Sequence, residues 1–215
     1  MESAHVDEFN HDPYAGAYDA DVRQEDNPIR AGYGAVQTWL GQMVAEDTAV
    51  LDLGCGTGNT LLALPASCRL TAVDISRNMI AIAREKLSER EVTYHISDIL
   101  HYVHTADLHQ YDVIVSCYAL HHLLEEEKLR LFDCLQSKMK RNGRVLIGDL
   151  MLKNEPDRQR ILDKYAHSHP DLAEAFAEEF FWPVDEMEQA LSDRGWHSEW
   201  QRFSDLSWTV AAWLR

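Results

Sequence analysis

Residues 50–59, Val-Leu-Asp-Leu-Gly-Cys-Gly-Thr-Gly-Asn, constrain the fold of this chain more than any other stretch. Val50, Leu51 and Leu53 surround the acidic Asp52, and Gly54, Gly56 and Gly58 then fall on alternate positions. A short apolar run of this kind reads as a strand buried on both faces of a parallel sheet. The glycines read as a tight turn into a helix beginning near Asn59, because a backbone that turns sharply beside a ligand has no room for a Cβ.

The spacing narrows the ligand. A dinucleotide fingerprint, G-x-G-x-x-G, would place its third glycine at position 59, where this chain has Asn59. No Gly-Lys-Ser/Thr follows, so a Walker loop is excluded.

The rest of the chain repeats the strand–helix alternation. Residues 69–74 form a second apolar strand ending in Asp74, whose two carboxylate oxygens suit a pair of ribose hydroxyls. Ser76 is a predicted N-cap for a helix carrying Met79, Ile80, Ile82, Ala83 and Leu87 at helical spacing. Predicted strands follow at 92–96, 112–116 and 144–148, with a crossover helix over 125–139. Strands alternating with helices give a doubly wound α/β sheet, whose ligands bind at the carboxyl ends of the strands. Gly54 to Gly58, Asp74, Asp98 and Ser116 all fall at such ends.

Asp-Leu-Gly-Cys-Gly-Thr-Gly at 52–58, with acids following the second and third strands, resembles the first motifs of class I S-adenosylmethionine-dependent methyltransferases. A narrower resemblance is to the small YrrT-like group. It rests on Ala-Tyr-Asp at 17–19, Ser-Cys-Tyr-Ala-Leu-His-His-Leu at 116–123, Glu-Glu-Glu-Lys at 125–128, Asn-Gly-Arg-Val-Leu-Ile-Gly-Asp at 142–149 and the Trp-rich C-terminal end. The resemblance implies a Rossmann-like sheet of seven strands in the order 3-2-1-4-5-7-6, with helices on both faces and the last strand antiparallel. It implies S-adenosyl-L-methionine as cofactor, S-adenosyl-L-homocysteine as product, and methyl transfer to a small-molecule acceptor. Gly54, Gly56 and Gly58 would cradle the methionine and ribose end, Asp74 with Ile75 the ribose, and Asp98 with Ile99 the adenine, Met79 covering the adenine face. Tyr18, Asp52, Cys55, Ser116 and Cys117 complete the expected cofactor-binding set. Ser116 departs from many relatives, which carry an acid there.

Candidates for a base or positioning group are His121, His122 and Asp149, with Tyr18. Histidine titrates near neutral pH, and adjacent residues do not share a helical face, so at most one of the pair is expected to point at the site. The other reading makes one His a helix cap and the other a satisfied surface or core residue. His101 and His104, with His95 and His109, have metal-ligand residue types but no paired carboxylate or cysteine, so no metal site is expected. Glu125 to Glu127 are explained by a helix N-terminus, which favours acids.

One methyltransferase domain over 1–215 is expected. Its divisions are an N-terminal helical cap (1–45, with a helix over 29–44), a cofactor-binding core (46–152), a helical lid (153–182), and a last helix with a β-hairpin (183–215). In the lid, helices are predicted over 153–169 and 171–181, and Phe180, Phe181 and Trp182 either floor the acceptor pocket or pack the insert onto the sheet. Tyr14 and Tyr18 either close over the cofactor or pin the cap.

A formal net charge of −16 disfavours a phosphate-backbone partner, which needs a cationic patch. The cations Lys138, Lys140, Arg141 and Arg144 suit a helix C-terminus. The polar, acidic start predicts no leader, hence a cytoplasmic chain, and four scattered cysteines predict reduced thiols. Three rivals stand beside the enzyme reading: a non-catalytic S-adenosylmethionine or S-adenosylhomocysteine binder, a methyltransferase acting on protein or tRNA, and a nicotinamide-dependent oxidoreductase.

Overall fold

The computed structural model describes residues 2–5 and 12–214; residues 6–11 of the expected cap lie outside the described residues. Strands β1 (Ala49–Leu53), β2 (Arg69–Asp74), β3 (Val92–Ile96), β4 (Val113–Cys117) and β5 (Arg144–Leu152) pair in parallel in the order β3-β2-β1-β4-β5. A two-residue strand β6 (Trp182–Pro183) pairs with the end of β5. The sheet continues through β8 (Ser207–Leu214), antiparallel to β5, to β7 (Trp196–Arg202) at the edge. Apart from β6, this is the predicted order.

The nine helices of the described residues are α1 (Ala15–Asp21), α2 (Tyr33–Met43), α3 (Asn59–Ala63), α4 (Arg77–Lys86), α5 (Ile99–Thr105), α6 (Glu125–Lys138), α7 (Glu155–Tyr165), α8 (Leu172–Glu178) and α9 (Val184–Asp193). Side chains alternate across a strand, so each central strand feeds two cores. Val50, Val113, Val115 and Leu146 join α2, α3 and α4 on one face; Leu51, Leu53, Ile114 and Ile147 join α5, α6 and α9 on the other. Each fully buried Val, Leu or Ile of these layers contributes roughly 1.5–3 kcal/mol. At Gly148 the closeness of α2 shows directly, because a Cβ there would stand 2.1 Å from Cγ1 of Val36.

Helix ends follow their local chemistry. Ser76 caps α4, its Oγ accepting from the Met79 N–H at 3.1 Å. Helix α2 begins at Tyr33 rather than 29, because Gly32 adopts φ 86° and breaks the preceding turn. Asn154 caps α7, which ends at Tyr165, short of the predicted 169; α8 likewise covers less than 171–181. Strand β5 runs four residues beyond the predicted 148, since β8 and β6 offer it pairing partners to Leu150 and Leu152. Asp205 takes Arg160 at 3.0 Å, Lys164 at 2.5 Å and the Tyr165 hydroxyl at 2.9 Å, which anchors α7 to the β7–β8 turn. The four cysteines are free thiols, and among the described residues no helix is long and apolar enough to cross a membrane.

Candidate functional site

A cleft opens at the carboxyl ends of β1, β2 and β4. Its floor is the turn after β1. The N–H groups of Gly54 and Cys55 both donate to the Val73 carbonyl, at 2.8 and 3.0 Å, which pins the turn to β2. Gly54 has φ 77°, and a Cβ there would stand 2.3 Å from the Cβ of Ala119. At Gly56, with φ 51°, a Cβ would meet nothing within 4 Å: that backbone faces the open cleft.

Asp74 ends β2 beside this turn. Its Oδ2 accepts the Gly56 N–H at 2.7 Å and its Oδ1 the Ser76 N–H at 2.9 Å. Burial pushes its pKa up, against these hydrogen bonds. Asp98 caps α5 through the His101 N–H at 2.8 Å, and its other oxygen accepts the Ser3 hydroxyl. Beneath the turn Asp52 is fully buried, and neither oxygen has a hydrogen-bond partner. Burial, reinforced by the charge of Asp74, pushes its pKa up to about 8. Tyr18 reaches the cleft from α1, while the neighbouring Asp19 ties that helix down through Thr57 Oγ1 at 2.6 Å, Asn59 Nδ2 at 3.0 Å and Lys86 Nζ at 2.6 Å.

The opposite wall comes from a 3-10 turn, Leu120–His122, after β4. His121 Nδ1 lies 2.5 Å from Asp149 Oδ1, and Asp149 is itself fixed by the N–H groups of Leu120, His121 and Leu150. Burial works against the charged imidazole, but Asp149 and then Glu179 outweigh it, so the His121 pKa is raised. Its Nε2 lies 3.6 Å from Glu179 Oε2, just past the end of α8. The Phe180 N–H donates to the His121 carbonyl at 2.8 Å, joining the segment after α8 to this turn.

Tyr18, Gly54, Gly56, Asp74, Ile75, Met79, Asp98, Ile99, His121 and His122 thus line one cleft. Both histidines do so, contrary to the expectation of at most one: the turn is too tight for the helical-face argument. Asp52, Cys55, Gly58, Ser116, Cys117 and Asp149 stand outside the lining. Ser116 turns inward and donates to the Leu53 carbonyl at 2.7 Å. Cys117 is buried, and burial raises its thiol pKa. Gly58 backs onto Leu87, 2.9 Å from where a Cβ would sit. Trp182 is fully buried edge-on to Phe132, so it packs the insert rather than flooring the cleft. Ser3, Arg30, Tyr118 and Glu179 line the cleft without having been singled out. Arg30, ion-paired to Asp21 at 2.6 Å, and Glu179 carry no local signature that separates them from other surface charges.

Residues 50–143 match the family described as a methyltransferase domain. The chain is 28% identical to an uncharacterized methyltransferase of Bacillus pumilus, with 94% of each chain covered, and 26% identical to the uncharacterized methyltransferase YrrT of Halobacillus halophilus, with 96% of each covered. Among solved structures it is similar to a DhpI–SAM–HEP complex, with TM-score 0.70 and 21% identity over 99% of both chains. It is also similar to magnesium protoporphyrin IX methyltransferase (ChlM) of Synechocystis PCC 6803 with bound SAH, with TM-score 0.65, 19% identity, and 95% of this chain and 98% of that one covered. These likenesses extend over the same sheet and helices.

Proposed function

We propose that this chain, which matches a methyltransferase domain over residues 50–143 and shares the fold of structures that hold SAM or SAH, transfers the methyl group of S-adenosyl-L-methionine to a small-molecule acceptor. The observation that carries the reading is the Gly54–Gly58 turn, which leaves Gly56 facing open space beside Asp74. The residues present fit the cofactor. Gly56 leaves the turn's backbone open to a ligand, since a Cβ there would meet nothing within 4 Å. Asp74 lines the cleft with lone pairs left for two ribose hydroxyls, and Asp98, Ile99 and Met79 line the same cleft, where the adenine would lie. Structures of similar fold hold SAM or SAH.

When bound, the cofactor supplies a sulfonium methyl that is already activated, so the protein's task is to align the acceptor and exclude water. Alignment of this kind is worth on the order of 7–11 kcal/mol in well-oriented cases. His121, oriented through Nδ1 by Asp149, presents Nε2 on the acceptor side of the cleft and can hold or take the acceptor's proton there. Asp149 acts through His121 and is a positioning residue. Tyr18 closes the cleft from α1. The acidic surface makes a small molecule a better acceptor than tRNA.

Calorimetric titration with S-adenosylmethionine, S-adenosylhomocysteine and NAD tests the reading. Both adenosyl ligands should bind, and Asp74→Ala should weaken them by about tenfold or more through lost hydrogen bonds to the ribose. Failure of either adenosyl ligand to bind the parent protein overturns the reading, and binding of NAD alone revives the oxidoreductase. Methyl transfer to a metabolite pool separates an enzyme from a non-catalytic binder.

A further inference from the structure

Across the cleft from the glycine turn, three side chains of ligating chemistry converge. One nitrogen each from His121 and His122 and one carboxylate oxygen of Glu179 lie within 4.8 Å of one another. Among the described residues this is the group that meets such a criterion; His95, His101, His104 and His109 form none. All three side chains line the cleft. The shortest measured approach, His121 Nε2 to Glu179 Oε2, is 3.6 Å, and that oxygen is buried without a hydrogen-bond partner among the described residues.

The far side of the His121 ring completes the arrangement. Histidines that bind metals donate their other ring N–H to a carboxylate, which fixes the tautomer and leaves one lone pair for the ion. His121 Nδ1 does this toward Asp149 Oδ1 at 2.5 Å, and three backbone N–H groups hold Asp149 in place. The ring therefore presents Nε2, and not Nδ1, to His122 and Glu179.

We propose that His121, His122 and Glu179 bind one divalent first-row transition ion of the zinc class, with its remaining coordination positions open to the cleft. Two imidazoles and one carboxylate suit such an ion, whereas magnesium and calcium take oxygen ligands. Ligands on a tetrahedral ion with bonds of ~2.1 Å stand about 3.4 Å apart. The Glu179–His121 pair, at 3.6 Å, is already close to that spacing. Three protein ligands and an open position are the arrangement of ions that act on a substrate rather than staple a fold. Lys128 is the nearby cation, and its ammonium is occupied by the carbonyls of Leu123 and Phe180.

The site deepens the methyl-transfer reading and, for its role, rests on it; with the ion bound, the lone pair of His121 Nε2 is taken, so His121 positions the acceptor through the ion instead of taking its proton itself. A coordinated acceptor is a small molecule bearing a hydroxyl or thiol, held by the ion on the side of the cleft facing the cofactor residues. The existence of the site does not depend on that reading.

The test uses the whole chain, stripped of metal by chelation and titrated with Co²⁺. A single equivalent should produce visible d–d absorption, displaced by Zn²⁺. Glu179→Gln and His122→Ala should each weaken Co²⁺ by about tenfold or more, the scale seen when metal sites lose supporting groups. A far-UV circular dichroism spectrum and a metal-free thermal transition like the parent's show the variants are folded. Absence of d–d bands in the parent, or variants that bind Co²⁺ as the parent does, overturns the proposal. Should a variant fail to fold, zinc-edge X-ray absorption of the parent decides alone: imidazole scattering from two histidines supports the site, and an ion with only water and carboxylate oxygen overturns it. Co²⁺ binding without adenosyl binding leaves the metal site standing and removes the methyl-transfer reading; the reverse does the opposite.

Discussion

Asp52 is a titratable group placed where its charge has no partner. It is fully buried, neither oxygen has a hydrogen-bond partner, and its pKa is pushed up to about 8. An unfolded aspartate titrates near ~3.9, so the folded chain binds this proton more tightly than the unfolded chain does. Stability therefore falls as pH rises from the unfolded value to the folded value of about 8. Asp52→Asn removes that penalty. The ligand-free variant should be more stable than the parent at the alkaline end by roughly 1–3 kcal/mol, the usual cost of an uncompensated buried polar group. Thermal unfolding across this pH range checks it, and parallel curves for parent and variant would count against the idea. Signals that are local were legible at this scale. Asp74, Met79, Asp98 and the glycines are set by strand ends, caps and turns within a few residues of themselves. Ser116 was placed at the right strand end, but its side chain points to Leu53, a matter of strand parity. Glu179 depends on a meeting across 58 positions with His121, which no periodicity records.

At the scale of elements, the placement of α2 on the sheet depends on a missing side chain. Gly148 lets Val36 approach so closely that an added Cβ would stand 2.1 Å from Cγ1 and 3.6 Å from Cβ of that valine. Valine is stiff at χ1 and cannot swing aside. Gly148→Ala should destabilise the protein by about 1–3 kcal/mol, as overpacked cores do. Adding Val36→Ala should recover part of the loss, which is the signature of direct contact. Urea unfolding of the four proteins measures the coupling, and strictly additive losses would place the strain elsewhere. The element pattern was legible because buried strands and amphipathic helices write their periods into the sequence. The end of β5 was not, because β6 and β8, distant from it in sequence, decide where its pairing stops.

For the whole molecule, charge is the property that selects partners. With 36 acidic and 20 basic side chains, the surface offers no counterweight to a phosphate backbone. Bulk tRNA should not be retained by the protein in filter binding at ~50 mM salt, a condition that favours even non-specific contacts. Retention there would restore tRNA as an acceptor. The segment after α8 and the site are also joined in a way that belongs to the assembled molecule. The carbonyls of Leu123 and Phe180 share the Lys128 ammonium, and the Phe180 N–H holds the His121 carbonyl at 2.8 Å. A segment fastened at these points cannot swing away on its own. Displacing that segment would break the hydrogen bond to the His121 carbonyl, so any movement there is felt at once in the histidine turn.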